Sequence, residues 1–275
     1  ATGPAIAAAI AYGLQAPPLV LFSTAIVGLA ANELGGPVGV YCATLIAVEL
    51  GKVVSKETSL DIIVTPAVTI ITGVLAAQFV GPYVSSIMTA LGAIIVNAKK
   101  MQPLVMGAVV SVVVGITLTL PISSAAICMM LGLDGLAAGA ATVGCCANMI
   151  GFAVISYREN GFGGLMAQGI GTSMLQMPNI LRNPRIWIPS IAASAVLGPV
   201  STMVFKMENI PIGAGMGTCG LVGQVGTIAA MGEGSEVYMA ILLLHFILPA
   251  LISLFVAGVL RKWGWIRPGD MKLDL

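Results

Sequence analysis

The Lys and Arg residues of this chain stand in a few short clusters, and long hydrophobic spans lie between them. These spans cover residues 62–80, 83–97, 103–157, 187–204 and 237–260. A helix of about 20 apolar residues crosses a hydrocarbon core of roughly 30 Å, so such spans are typical of membrane helices. Only 8% of the 275 residues are charged, whereas soluble domains carry about 25%. The sequence therefore predicts an all-α, polytopic integral membrane protein in a lipid bilayer.

The basic clusters also predict the topology. Cytoplasmic loops of membrane proteins carry an excess of Lys and Arg, so we assign every cluster except Lys206 to the cytoplasm. The assigned residues are Lys52, Lys56, Lys99, Lys100, Arg158, Arg182, Arg185, Arg261, Lys262, Arg267 and Lys272. With a turn at Gly81-Pro82, the pattern predicts about eight transmembrane helices. They form a single membrane domain, residues 1–275, in which residues 262–275 are a cytoplasmic tail.

The stretch GFGGLMAQGIGTSMLQMPN, residues 161–179, combines glycines and polar groups with apolar side chains. It lies between two cytoplasmic clusters, and its 19 residues are too few for two crossings. Non-helical backbone survives at membrane depth only where protein or a water-filled cavity satisfies it. We therefore predict a re-entrant hairpin, and a loose interfacial loop is the alternative. The side chains expected to face a cavity are Gln168, Thr172, Ser173, Gln176 and Asn179.

A second glycine-rich segment, residues 211–234, lies between two spans that are expected to meet on the opposite side. Its polar residues include Thr218, Gln224 and Thr227. We predict a second re-entrant segment from the other face of the membrane. A glycine-rich helix packed closely on its neighbours is the alternative.

Proline interrupts two hydrophobic runs that exceed the length of one crossing. Pro17-Pro18 divides residues 4–31, and Pro121 divides residues 103–133. Proline lacks the N–H of a helical hydrogen bond and clashes with the preceding turn. Both runs are therefore predicted to be broken helices.

Pro17 and Pro121 are 104 residues apart, and so are the Gly-Leu pairs at residues 28–29 and 132–133. This common spacing suggests internal repeats over residues 1–100 and 101–261. A chain without duplication is the alternative. Interrupted helices in corresponding halves indicate a transporter's binding site. Beside the second break, Thr119, Ser123 and Ser124 are expected either to meet a ligand or to recap the helix.

Few ionisable or strongly polar residues remain within or beside the spans: Glu49, Asn148, Glu159 and His245. Such residues are costly in a membrane, and we treat them as candidates for gating, coupling or binding. Glu49 has a simpler alternative in an interfacial salt bridge with Lys52. For His245 the simpler alternative is a hydrogen bond between helices.

Cysteine usage and net charge exclude several classes of function. The five cysteines lie in apolar segments without a CxxC spacing, so we expect neither a disulfide framework nor a metal site. No cofactor is predicted. A net charge of +1 does not supply the basic surface that nucleic-acid binding requires.

Several motifs together resemble the enzyme IIC-like membrane permeases of the phosphotransferase system. They are GGPVGVYCATLIAVELGK, TSLDIIVTP, LTLPISSAAICMMLGLDGLAAGAATVGCC, YRENGFGG, GTSMLQMPNILRNPRIWIP and GAGMGTCGLVGQ. The resemblance implies a bacterial inner-membrane permease that moves a small polar solute such as a sugar. It also implies a homodimer and separate soluble components of the phosphotransferase system. Small residues over 135–144 offer a face for close helix contact in such a dimer.

One departure from the resemblance concerns phosphorylation. Glucose-type members carry an Ile-Thr-Glu-Pro motif whose Glu engages the sugar, and this chain has no match to it. Solute transport is therefore better supported than sugar phosphorylation.

The leading hypothesis is a transporter whose site lies between the second broken helix and the hairpin. Its candidate binding residues are Ser123, Ser124, Asn148, Thr172, Ser173, Gln176 and Asn179. We expect Glu159 to close a cytoplasmic gate by pairing with a base such as Arg182, or to bind a coupling proton. The alternatives are a sensor or scaffold without net transport, and a non-phosphorylating transporter of a small organic anion. No catalytic motif supports a membrane enzyme.

Overall fold

The fold comes from a computed structural model that describes residues 2–58 and 60–273. Within these ranges every regular element is helical, and the one β-type contact is an isolated bridge between Gly135 and Asn209. The predicted all-α class is confirmed. The α-helices are α1 (Thr2–Gly13), α2 (Pro18–Val54), α3 (Asp61–Lys99), α4 (Pro103–Thr119), α5 (Ser124–Met130), α6 (Gly135–Ile155), α7 (Tyr157–Met166), α8 (Met177–Arg182), α9 (Ile188–Met203), α10 (Pro211–Ala214), α11 (Val222–Met231), α12 (Ser235–Ile241) and α13 (Leu248–Lys262).

Five helical stretches of the described chain are long and apolar enough to cross a membrane. They are Pro18–Val54, Asp61–Lys99, Gly135–Ile155, Pro184–Met203 and Ser235–Lys262. Two further helices, α4 and Cys219–Met231, are apolar but shorter. These stretches support a multi-pass membrane protein, and the number of about eight crossings stays a prediction.

The chain divides into two compact units, one ending at Ala90 and one starting at Leu91. In the first unit α1 packs along α2, with Ala7 buried in the same cluster as Val27 and Ala31. The predicted break at Pro17-Pro18 is present, because α1 ends at Gly13 and α2 begins at Pro18. Proline fits the first turn of a helix, where its missing N–H costs no hydrogen bond. The division into two sequence repeats stays a prediction.

The sequence prediction for α3 was wrong at one point. Gly81-Pro82 is not a turn, because α3 continues through both residues as one helix. A side chain at Gly81 would meet Leu34 of α2, so this glycine serves close packing between the helices. The sharp feature of this unit lies instead in α2, at Gly36, whose positive φ of 57° favours glycine.

The second unit is built around α6. Seventeen of the 21 residues of α6 are buried, and α4, α9 and α13 pack against it. Glycines allow these close approaches: a side chain at Gly144 of α6 would overlap Ser111 of α4. Helices in membranes associate through such small residues, since lipid supplies no hydrophobic drive between helices.

The proposed face for dimer contact is buried inside the chain itself. Residues 137–147 of α6 are all buried, and a side chain at Gly139 would overlap the backbone of Met207. The small residues over 135–144 therefore mediate packing within one chain. The expectation of a homodimer now depends on the resemblance alone.

Candidate functional site

The helix break at Pro121 is present as predicted. Helix α4 ends at Thr119, α5 begins at Ser124, and the four residues between them are not α-helical. Ser123 caps α5 by accepting a hydrogen bond from the N–H of Ala126 at 3.2 Å. Ser124 donates its hydroxyl to the carbonyl oxygen of Gly215 at 2.7 Å. Both serines therefore satisfy backbone groups beside the break.

The glycine-rich stretch from residue 161 to 179 folds as a hairpin. Helix α7 bends at Gly161, with φ 59°, and passes through the π-helical turn Ala167–Gly171. The backbone is extended at Thr172, and the 3-10 turn Ser173–Gln176 leads into α8. Asn160 and Gln176 both donate to the carbonyl oxygen of Met271, so the two arms lie side by side. Entry into the bilayer from one side stays a prediction.

A buried group of neutral side chains joins the break, the hairpin and α6. We call Thr119, Asn148, Ser173, Trp187 and Ser194 the central polar cluster. The hydroxyls of Thr119 and Ser173 lie 2.8 Å apart, and Thr119 Oγ1 lies 3.4 Å from Asn148 Oδ1. Asn148 Oδ1 also accepts from Trp187 Nε1 at 2.9 Å, and Asn148 Nδ2 donates to Ser194 Oγ at 3.2 Å.

The chemistry of this cluster is that of neutral hydrogen bonding. Thr119, Asn148, Ser173 and Ser194 are each fully buried, and none of them is ionisable at physiological pH. Hydroxyl and amide groups can each donate and accept, so they can exchange their mutual bonds for those of a hydroxylated ligand. An ion would find no opposite charge in the cluster.

The second glycine-rich segment reaches the same region. The Thr218 hydroxyl lies 2.5 Å from the carbonyl oxygen of Gly169 in the hairpin and 3.5 Å from Met149 Sδ in α6. A side chain at Gly217 would overlap Cys145 of α6. The tips of the two glycine-rich segments therefore meet beside the middle of α6.

The other side of the hairpin binds the C-terminal residues of the chain. The structure describes this region to residue 273, and we call residues 263–273 the tail. The backbone of the tail is the main hydrogen-bond partner of the hairpin. Gln176 donates to the carbonyl oxygen of Met271 at 3.0 Å, and Asn179 donates to that of Lys272 at 2.9 Å. Glu159 accepts from the N–H of Met271 at 2.9 Å. Asn183 donates to the carbonyl oxygen of Trp265 at 3.0 Å.

Apolar packing holds the tail in the same place. Ile266 and Met271 of the tail are buried in one cluster with Phe152 of α6 and Ile180 of α8. Burial of side chains of this size contributes about 1.5–3 kcal/mol each. Contacts at Trp265, Ile266, Met271 and Lys272 thus hold the tail against the folded chain, although the sequence predicted only its cytoplasmic location.

The predicted binding residues fall into three places. Asn148 and Ser173 belong to the central polar cluster, with Thr119 between them. Thr172 lies next to the cluster and caps the 3-10 turn by accepting from the N–H of Met174. Gln176 and Asn179 face the tail, while Ser123 and Ser124 serve the helix break.

The three candidate gating or coupling residues have identified partners. Glu49, in the first unit, forms an ion pair with Lys52 at 2.8 Å, which is the simpler alternative for this residue. Glu159 bonds to the tail, and the described chain shows no ion pair between Glu159 and Arg182. His245 Nδ1 lies 3.0 Å from Gln224 Nε2. This contact joins α11 to the π-helical turn Leu242–Ile247, as expected for a bond between helices.

Sequence reasoning missed two members of the central polar cluster. Trp187 lies two residues from Arg185, which is typical of an interfacial anchor, so its position in the sequence does not indicate a bond to Asn148. Ser194 was not considered, although Ser190, Ser194 and Ser201 recur at helical spacing and share one buried side of α9. That spacing is the signal that could have identified Ser194.

The described residues contain no group of three or more His, Cys, Asp or Glu side chains that could hold a metal ion. All five cysteines are free thiols. The site is therefore best described by its hydroxyl, amide and backbone groups.

A buried polar site between a broken helix and a glycine-rich hairpin, in a multi-pass helical protein, is typical of membrane permeases. The family model described as "Phosphotransferase system, EIIC" matches residues 1–273, and the chain belongs to this enzyme IIC family. It is accordingly a membrane permease component that works with other phosphotransferase-system components. No curated protein and no solved structure gives a significant match.

Proposed function

We propose that this protein carries a sugar across the bacterial inner membrane and that the sugar binds at the central polar cluster. The observation that carries this proposal is the contact of Thr119 with both Ser173 and Asn148. This contact joins the helix break, the hairpin and α6 in one buried group. A transporter needs such a group where its moving elements meet.

The neutral character of the cluster supports a sugar as the solute. Sugars present hydroxyls that donate and accept hydrogen bonds, and the hydroxyls and amide of the cluster match them in kind. A site built to bond hydroxyls also discriminates strongly, because a ligand without them leaves buried groups unpaired. A charged organic anion would have to give up its hydration without meeting a cation here.

The hairpin is proposed to be re-entrant from the cytoplasmic side and to act as the gate of this site. Asn160 and Gln176, one on each arm, both bind Met271 of the tail, and Gly161 and Thr172 interrupt the helices of the hairpin. Glu159 would hold the closed state through the N–H of Met271 and release it on opening. Cysteines introduced at Gly163 and Arg182, which are both exposed, should label with an impermeant reagent from the same side. Labelling from opposite sides would contradict the re-entrant hairpin.

Transport itself is tested by sugar uptake into proteoliposomes that contain the full chain. We expect saturable uptake that protein-free vesicles lack. Parallel vesicles with and without soluble phosphotransferase components and a phosphoryl donor show whether uptake needs phosphorylation. Binding of a sugar without uptake under either condition would favour a sensor. Neither binding nor uptake of any sugar by folded protein would contradict the proposal.

A further inference from the structure

A cleft away from the central polar cluster lies between the end of α6, helix α7 and the last helix, α13. Its volume is about 640 Å³. Val154, Leu165 and Leu254 supply apolar wall, and Arg158 and Arg261 line the same cleft. The proposed transport function assigns no role to these side chains, although Leu165 lies within the hairpin. The cleft therefore needs an explanation of its own.

Helix α13 has a glycine, Gly258, where it faces this cleft. Leu254, Gly258 and Arg261 follow one another at intervals of four and three residues, so they share one face of α13. A Cβ atom at Gly258 would meet no atom within 4 Å. A shallow groove thus extends along α13 from an apolar residue to a guanidinium.

Both guanidinium groups are available to an anion. Arg261 donates to the carbonyl oxygen of Ile155 at 2.6 Å, but a guanidinium carries five N–H donors. Arg158 is exposed. In the described ranges the ion pairs are Lys52–Glu49 and Lys99–Asp134, so no carboxylate neutralises either arginine there. Arginine binds phosphate through paired N–H groups and does so more readily than lysine.

We propose that this cleft binds one anionic phospholipid, with its phosphate at Arg158 and Arg261 and an acyl chain along the apolar wall. The lining combines positive charge with apolar surface, and basic pockets between membrane helices bind anionic head groups. Trp263, two residues after Arg261, is 64% exposed. Tryptophan is enriched at the membrane–water interface, which places Arg261 at the depth of the head groups. Free phosphate would leave the apolar wall uncovered.

The test measures retention of defined lipids on the purified full chain by native mass spectrometry. Phosphatidylglycerol is compared with phosphatidylethanolamine of the same acyl chains. Arg158→Gln removes one charge, and Gly258→Leu fills the groove where the structure has open space. Arg182→Gln is the matched control, because Arg182 is an exposed arginine outside the cleft. Monodisperse elution of each variant confirms that it folds.

We expect the wild type and Arg182→Gln to retain phosphatidylglycerol in preference to phosphatidylethanolamine. Arg158→Gln should weaken retention about fivefold, the effect of one basic residue at a membrane surface. Gly258→Leu should abolish the preferred lipid adduct. If Gly258→Leu fails to fold, the comparison of Arg158→Gln with Arg182→Gln still decides the outcome.

Three results would overturn the proposal. One is equal retention by Arg158→Gln and Arg182→Gln. Another is equal retention of the two lipids by the wild type. The third is displacement of the lipid by inorganic phosphate together with unchanged retention in Gly258→Leu, which would indicate a site for a free anion.

Discussion

The two sides of the hairpin use polar residues in different ways. On the side of α6, Ser173 contacts another side chain, the hydroxyl of Thr119, in a group drawn from several helices. On the side of the tail, Gln176 and Asn179 bond to backbone carbonyl oxygens of Met271 and Lys272. Side-chain hydroxyls can turn toward a ligand, whereas the tail carbonyls are fixed by the buried residues around them. From this comparison we propose that the side of the hairpin facing α6 binds the solute and that the side facing the tail supports the fold.

The largest effect on stability is expected on the tail-facing side of the hairpin, when residues 263–275 are deleted. Burial of Ile266 and Met271 is lost, which costs about 3–6 kcal/mol for two large apolar side chains. Thermal unfolding in mild detergent should show a strongly destabilised protein with a protease-sensitive hairpin. Arg267→Ala, at an exposed tail position, is the control. An unchanged unfolding temperature after deletion would refute the supporting role of the tail.

The second effect distinguishes the two sides within the hairpin. Ser173→Ala removes a hydroxyl from the central polar cluster, so sugar affinity should fall about 2- to 13-fold, as expected for one hydrogen bond of about 0.5–1.5 kcal/mol. Asn179→Ala removes contacts to the tail and should lower stability while affinity changes less than twofold. Calorimetric titration and thermal unfolding measure both quantities. A loss of stability in Ser173→Ala together with a loss of affinity in Asn179→Ala would contradict this assignment of the two sides.

A smaller effect is expected at the end of the tail-facing side. Glu159→Gln keeps an acceptor for the N–H of Met271 but removes its charge. Hydrogen bonds to charged groups contribute about 1.5–3 kcal/mol and neutral ones about 0.5–1.5 kcal/mol, so the closed gate is weakened. Uptake should slow while binding stays within twofold of the wild type. A loss of affinity as large as that of Ser173→Ala would place Glu159 in the binding site instead.

The smallest effect is expected in the first unit. Glu49→Gln breaks the ion pair with Lys52. The side chain of Glu49 is 54% exposed and that of Lys52 is 30% exposed. Exposed ion pairs contribute about 0–1 kcal/mol. Stability and uptake should both stay close to the wild type. A transport defect comparable to that of Glu159→Gln would show that Glu49 has a coupling role.

Local features of the fold were predictable from the sequence, because their causes are local. Proline removes a helical hydrogen bond, and the helices are broken at Pro17-Pro18 and at Pro121, as predicted. Gly81-Pro82 was misinterpreted because glycine serves turns and close packing equally well, and only the position of Leu34 distinguishes the two. The kink at Gly36 was not predicted for the same reason.

The candidate site was predictable only in part. Buried polar groups need partners, and this requirement alone led to the expectation that Ser173 and Asn148 lie near the break at Pro121. The tail contacts carry no such signal. Gln176 and Met271 are 95 residues apart, and the bond is to a backbone oxygen that every residue has. Sequence therefore could not separate Ser173 from Gln176, although they lie three residues apart.

The central claim is that the hydroxyl of Thr119 belongs to a solute site, and a pair of threonines in α4 tests it most directly. Thr117 and Thr119 are both buried, but the Thr117 hydroxyl bonds to the carbonyl oxygen of Val113 in its own helix, at 2.7 Å. Replacement by valine removes each hydroxyl with little change in shape. Sugar affinity, measured by calorimetric titration, should fall about 2- to 13-fold in Thr119→Val and stay within twofold in Thr117→Val. Equal affinities in the two variants would contradict the site.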